Sequence, residues 1–501
     1  MPAQNDRNAF TARMHPHLYE INTWAWLEEL SAKAGKRVTV GAVPDEEWDK
    51  LRELGFDFVW LMGIWKRSPS GRHIFRTDIN SFALYDAALP GWTVRDVAGS
   101  PYSIQDYVPD PRIGTWSEID AVRSKLRDRN IGLILDFVPN HTGPDHPWIQ
   151  SHPEYYVQGT LADFRRNPEA FFLAELERSA LFIARGKDPY FPPWPDAAQL
   201  NYFNPSTRAA MLDVLKTIST HCDGVRCDMA MLCLNEVFAK TWSPLIGGLK
   251  TPAEEFWPAA ISALPDFVWL AEVYWDLEWR LQQLGFNFTY DKRLYDRLRD
   301  GSPRDVRLHL KSDLSYQNKM ARFLENHDEV RAASAFGRER LPAIATIAAT
   351  LPGMRFYHQG QLQGRKLHLP IQLGRAPSEP DDPDISKLYA KLLQISSQDV
   401  FHQQDWKLLE ASANGDASYR NLVAYRWQSG QDVRLVVVNL GDTASQGRIY
   451  LGAPLDVSRR YLFSDLLNDK QYEREGKDLT ESGLFVRLDG YRAHVFEVTI
   501  L

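Results

Sequence analysis

The sequence has no apolar stretch of about 18 residues, the length that a membrane-spanning helix needs. Its opening, MPAQNDRNAFTARMHPHLYE, lacks the apolar core of a secretory leader. A cytoplasmic, soluble protein with no membrane partner is expected. Cysteine is scarce, with Cys222, Cys227 and Cys233 the only three in 501 residues. An odd number without a Cys-x-x-Cys pair argues against a disulfide framework and against zinc, so three reduced, partly buried thiols are expected. Positive charge is not in excess either: the formal net charge is −7 and the basic residues are scattered. That leaves no electrostatic footprint for a phosphate backbone, and nucleic acid is not an expected partner. There is no internal repeat and no low-complexity segment.

What is present is a globular composition, 44% hydrophobic and 25% charged, in a chain long enough for one large domain with satellites. Aromatic residues reach 12%, with 16 tryptophans. A large core uses aromatics in this way, and so do stacking platforms for flat sugar rings. Short apolar runs recur at 18–24, 56–65, 132–138, 224–228, 267–275, 286–290, 321–327 and 354–360. Amphipathic segments lie between them, among them 45–55, ending on a capping glycine, and 118–132 and 206–218, opening on Glu or Ser/Thr. Eight such units over roughly 390 residues predict an α/β fold, a closed (β/α)8 TIM barrel. The barrel is expected over 1–141 and 202–395, with an inserted lobe after strand 3 at 142–201, rich in Pro, Phe, Tyr and Trp. From 396 to 501 short β-forming runs separated by Gly, Asp, Asn and Ser predict a C-terminal antiparallel β-sandwich.

Active sites of such barrels sit at the C-terminal ends of the strands. The run GLILDFVPNH (132–141) carries an acid, Asp136, inside a core strand and ends on Asn140 and His141. Other strand ends supply Arg226 and Asp228, Glu272, and Asn326, His327 and Asp328. Buried acids are costly unless paired, so such a set at successive strand ends points to chemistry. Cleavage of an acetal suits it: a retaining glycosidase needs an ionised nucleophile and a second carboxyl group as acid and then base. Arg226 lies two residues before Asp228, hence on the same face of a strand, and would keep Asp228 ionised. Glu272 lies among apolar neighbours in WLAEVYW, a setting that keeps a carboxyl group protonated.

The four segments DFVPNH, GVRCD, EV after an apolar strand and ENHD, in that order, resemble the four motifs of glycoside hydrolase family 13, the α-amylase family. QLNYFNP (199–205) and SPYSIQDY (100–107) resemble two further segments of that family. The resemblance covers roughly residues 15 to 500 and implies a role for each matching position. Asp228 would be the nucleophile, Glu272 the acid/base, and Asp328 a third carboxylate gripping sugar hydroxyls. His141 and His327 would hydrogen-bond the sugar, Arg226 would orient the nucleophile, and Tyr102 would stack beneath the ring. Asp136 and Asn140 would support the third strand end.

The sequence departs from the family on the leaving-group side. Met231 and Leu232 stand where starch-cleaving members carry Lys and His, Gly99 stands where exo-acting members carry an acid, with Asp96 displaced, and Gln361 replaces a common acid. The expected activity is retaining cleavage of α-glucosidic bonds in oligosaccharides or α-glucans. The alternatives are a transglycosylase or isomerase of short α-glucosides, and a non-catalytic amylase-like binding protein. A carbohydrate is the expected partner. No cofactor and no metal are expected; for calcium, Asn140 is the one candidate ligand, without clear partner acids.

Overall fold

The structure is a computed structural model that describes residue 10 and residues 12–177, 179–245, 250–452 and 455–501. The first nine residues, part of the stretch read above as no secretory leader, lie outside the described residues. The eight apolar runs form eight parallel strands: β1 His17–Asn22, β2 Phe58–Met62, β3 Gly132–Phe137, β4 Gly224–Cys227, β5 Val268–Ala271, β6 Phe288–Tyr290, β7 Met320–Arg322 and β8 Met354–His358. They follow chain order around a closed barrel, with β8 pairing β1. All residues of β1 to β4 and of β8 are buried, which explains their unalternating apolar runs: helices cover the outside while side chains fill the inside.

β7 is shorter than the run 321–327 suggests. After Arg322 the chain leaves the ladder, and the Asn326 side chain accepts from the N–H groups of Asp328 and Glu329, both at 2.9 Å. A local side-chain acceptor of this kind competes with strand pairing. The helix expected from Glu118 starts earlier, at Trp116, because Thr115 caps it and Glu118 reaches back to complete a capping box. The helix Pro205–Ser219 is capped by Asn204 with Pro205 in its first turn.

Two excursions stand above the strand ends. Between β3 and β4, His141–Thr142 pairs with Ala198–Gln199, and a three-stranded sheet joins Gln158–Gly159, Ala180–Ala184 and Phe171–Glu175. The other was not anticipated. After β2 the chain makes an antiparallel pair, Trp65–Arg67 with Ile104–Pro109, and two helices, Pro69–Thr77 and Ile79–Ala88. The second helix exposes Ile79 and Leu84 while burying Tyr85 and Ala88, so no helical apolar stripe marks it in the sequence.

The C-terminal part has a six-stranded antiparallel sheet, ordered Asp405–Leu409, Leu422–Ser429, Asp432–Asn439, Ala493–Ile500, Arg460–Asp465 and Lys470–Glu475, and a three-stranded sheet. Alternation divides the larger sheet. Leu422, Ala424, Leu435 and Val437 pack with Ile449, Leu484 and Val486 of the smaller sheet, while Val423, Tyr425, Trp427, Val436 and Val438 join the barrel core. The Trp427 indole N–H donates to the Thr350 carbonyl at 2.7 Å, and the Tyr425 and Thr350 hydroxyls lie 2.6 Å apart. Strand Lys470–Glu475 (KQYERE) lacks an apolar face because it is a charged edge. Trp427 is fully buried, so Trp427→Ala should cost about 3–5 kcal/mol of stability, read as a lower midpoint in urea denaturation.

Candidate functional site

β4 and β5 pair with Cys227 opposite Ala271, and the ladder continues one residue further on each. The Asp228 N–H donates to the Phe137 carbonyl at 2.8 Å and the Glu272 N–H to the Cys227 carbonyl at 3.0 Å. Asp228 and Glu272 therefore stand level at neighbouring strand ends. Arg226, fully buried one pleat below, donates from Nη1 to Asp228 Oδ1 and from Nη2 to Glu272 Oε2, both at 2.7 Å. One planar fork thus grips both carboxyl groups, which a lysine could not do. The rings of Trp60, Tyr102 and Tyr290 lie 5.1, 5.2 and 5.7 Å from that guanidinium.

Glu272 also accepts from the Met229 N–H and the Tyr274 hydroxyl, both at 2.8 Å. Met229 reaches it because its backbone is left-handed, φ 42 and ψ 47, a conformation that costs a non-glycine residue about 1–3 kcal/mol. Burial pushes Glu272 up to about 7 against the pull of Arg226. Burial also raises Asp228 above the usual carboxylate value, with Arg226 opposing it through charge and hydrogen bond.

Asp136 points into the same floor. It accepts from the Trp60 indole N–H at 3.2 Å and the Gly63 N–H at 2.7 Å, and lies 4.0 Å from Arg226. Burial lifts it to about 6. Gly63 has φ +76, and a Cβ there would come within 2.6 Å of Pro101. Only glycine turns the end of β2 tightly enough to aim its N–H at Asp136.

His327 links the opposite wall. Its Nε2 lies 3.0 Å from Asp328 Oδ2 and 2.8 Å from the Tyr102 hydroxyl, and its Nδ1 lies 2.5 Å from Glu20 Oε1. The Tyr102 ring stacks on the imidazole with centroids 5.4 Å apart. The Asp328 side chain is 41% exposed. Burial among its neighbours works to raise it, but the charge and hydrogen bond of His327 outweigh that and hold it at about 2, and the exposed oxygen favours ionisation as well. His141 stands beside the Trp194 ring, 5.2 Å between centroids, and burial lowers it to about 4, so it is neutral near pH 7.

Asn140 is engaged internally: its Oδ1 accepts from the Gln199 amide at 2.9 Å and its Nδ2 donates back at 3.2 Å. Among the described residues no group of three or more His, Cys, Asp or Glu is arranged to hold a metal. Met231 and Leu232 are buried in the turn Ala230–Cys233 and offer no polar group to a ligand. Asp96 pairs with Arg375 at 2.8 Å on a surface turn, and Gln361 bridges the His358 N–H and the Tyr389 hydroxyl. A cavity of about 650 Å³ lies among the helices Thr23–Ala34 and Asp45–Glu53 and the segment after β8, and none of the candidate site residues lines it.

The structure therefore brings Asp228, Glu272, Arg226, Asp136, Asp328, His327 and Tyr102 into one connected cluster, with His141 on the inserted segment. Sequence reasoning missed Glu20, Trp60, Tyr274 and Tyr290. Glu20 carried the same signal as Asp136, an acid within a wholly buried strand. Tyr274 lies two residues after Glu272, the same spacing as that of Arg226 and Asp228.

The family profile described as "Alpha amylase, catalytic domain" matches residues 45–241. The chain is 27% identical over 311 residues to Alpha-amylase 3 of Dictyoglomus thermophilum, covering 57% of this chain and 58% of that protein. It is 25% identical over 360 residues to Alpha-glucosidase of Apis mellifera, covering 63% and 57%. The chain thus spans a little over half the length of these relatives. In fold it is similar to the maltogenic alpha-amylase AmyB from Thermotoga neapolitana, with a TM-score of 0.68 at 20% identity over 97% of this chain and 99% of that one. The four strand-end motifs, the closed barrel that carries them and the profile match over residues 45–241 all indicate the α-amylase family, glycoside hydrolase family 13.

Proposed function

We propose that the protein cleaves α-glucosidic bonds of oligosaccharides or α-glucans with retention, through a covalent intermediate on Asp228. The observation that carries this reading is the shared grip of Arg226 on two carboxyl groups whose environments suit different tasks. Glu272, at about 7, holds a proton near neutrality; Asp228, ion-paired with Arg226, serves as the anion. In the first step an Asp228 oxygen attacks the anomeric carbon, the glycosidic C–O bond breaks, and the Glu272 proton passes to the departing oxygen. In the second, the Glu272 carboxylate takes a proton from an incoming water or sugar hydroxyl, whose oxygen attacks the anomeric carbon and releases Asp228. Asp328, His327 and His141 would hold the sugar hydroxyls, and Tyr102 would support the ring. The relatives named α-amylase and α-glucosidase fit this bond type.

A second reading, transfer to a sugar acceptor or isomerisation of a short α-glucoside, is favoured by the buried, apolar Met231 and Leu232 on the leaving-group side. Without polar contacts from those positions, the choice between water and a sugar hydroxyl rests on other groups. Incubation with maltose, sucrose, trehalose, isomaltose and maltooligosaccharides, followed by chromatography, separates the two. Free glucose alone marks hydrolysis; longer or rearranged sugars mark transfer.

Glu272→Gln should lose about 10²–10⁴-fold in rate, and Asp228→Ala several orders of magnitude, with melting curves close to the parent's. Near-normal turnover by either variant would overturn the role assignments. In kcat/KM against pH, activity should fall as pH rises through about 7, because the free enzyme then loses the Glu272 proton that the first step needs. A profile flat from pH 6 to 9 would remove Glu272 from that role.

A further inference from the structure

β1 contributes nothing to the motifs that mark the family, yet it carries a fully buried acid. Glu20 lies in register with Trp60 of β2 and His358 of β8, one layer below the rim. Its Oε1 faces His327 Nδ1 at 2.5 Å, and its Oε2 is buried without a hydrogen-bond partner among the described residues. Burying an acid with one oxygen unpartnered is expensive. Among the described residues, the pairing with His327 is the one hydrogen bond that its side chain makes.

His327 is thereby faced by a carboxyl oxygen at each ring nitrogen, Glu20 at Nδ1 and Asp328 at Nε2. A neutral imidazole has one N–H and would set its bare nitrogen against an oxygen lone pair. Only the doubly protonated ring donates to both. The Tyr102 hydroxyl, 2.8 Å from Nε2, can share the proton on that side. The other titratable groups about the ring are Asp136 of β3, Asp228 of β4, His358 of β8, and His368, whose Nε2 meets the His327 carbonyl at 2.8 Å.

We propose that Glu20 is a positioning residue which fixes His327 as an imidazolium with one N–H on β1 and the other aimed at Asp328 and the bound sugar. The inference rests on the glycosidase reading only for its kinetic consequence. Burial works against the charge on the ring, but Asp328 and Glu20 together outweigh it and hold His327 well above the usual histidine value. A cation at this wall would keep Asp328 ionised beside a pocket already crowded with carboxyl groups, and would present a donor rather than an acceptor to a sugar hydroxyl. In such carboxylate–imidazole pairs the buried acid sets both orientation and protonation of the ring.

The test is a nuclear magnetic resonance titration of histidine-labelled full-length protein, with the His327 signal identified by its loss in His327→Asn. In the parent protein both His327 nitrogens should stay protonated from pH 5 to 8. In Glu20→Gln, which keeps the size but removes the charge, His327 should titrate within that range. kcat/KM should fall about 10- to 100-fold, the size of one lost charge-assisted hydrogen bond, with an unchanged melting curve. A neutral His327 at pH 7 in the parent overturns the proposal even if the variant does not fold, and so does a variant whose His327 titrates like the parent's. The titration uses no substrate, so its failure is distinct from failure to cleave α-glucosides.

Discussion

The guanidinium of Arg226 is the element on which the site depends. It is fully buried, and it meets Asp228 and Glu272 at once, with Asp136 just beyond and three aromatic rings around it. Taking one cation and several acids out of water costs more than their mutual attraction returns in general, and well-packed apolar residues of the same volume often make such a site more stable. The cluster is therefore poorly explained as a stabilising device. It is coherent if part of it is neutral near pH 7, as the raised Glu272 indicates, leaving Arg226 paired with Asp228 at the floor and His327 with Asp328 at the wall.

Much of this was legible in the chain. The eight buried strands show as unalternating apolar runs because both faces are covered, and acids inside such runs stand out as breaches of the pattern. Asp136, Asp228 and Glu272 were found that way. The Arg226–Asp228 pairing follows from the period of two in a strand. Glu20 broke the same rule and was overlooked because nothing around it in LYEIN suggests a partner; the partner, His327, lies 307 positions away.

Other features were hidden for physical reasons. The helix Ile79–Ala88 leaves apolar side chains on its outer face, so periodicity cannot reveal it. The edge strand Lys470–Glu475 is polar along its length, since an unpaired edge that attracts no neighbour must be so. The end of β7 is set by one amide side chain, Asn326, whose choice between ladder and turn depends on what surrounds it.

The two-faced six-stranded sheet has a consequence for how the molecule can be divided. Its Val423, Tyr425 and Trp427 face belongs to the same apolar body as the barrel, and its indole closes the carbonyl of Thr350, just ahead of β8. Cutting the chain after the last barrel helix would bare that face on one fragment and strip the floor from the other, so neither piece should persist as a folded unit by itself. The mouth of the barrel and the distant sandwich are in this sense one cooperative object, and a graft that exchanges the sandwich must carry over a matching underside.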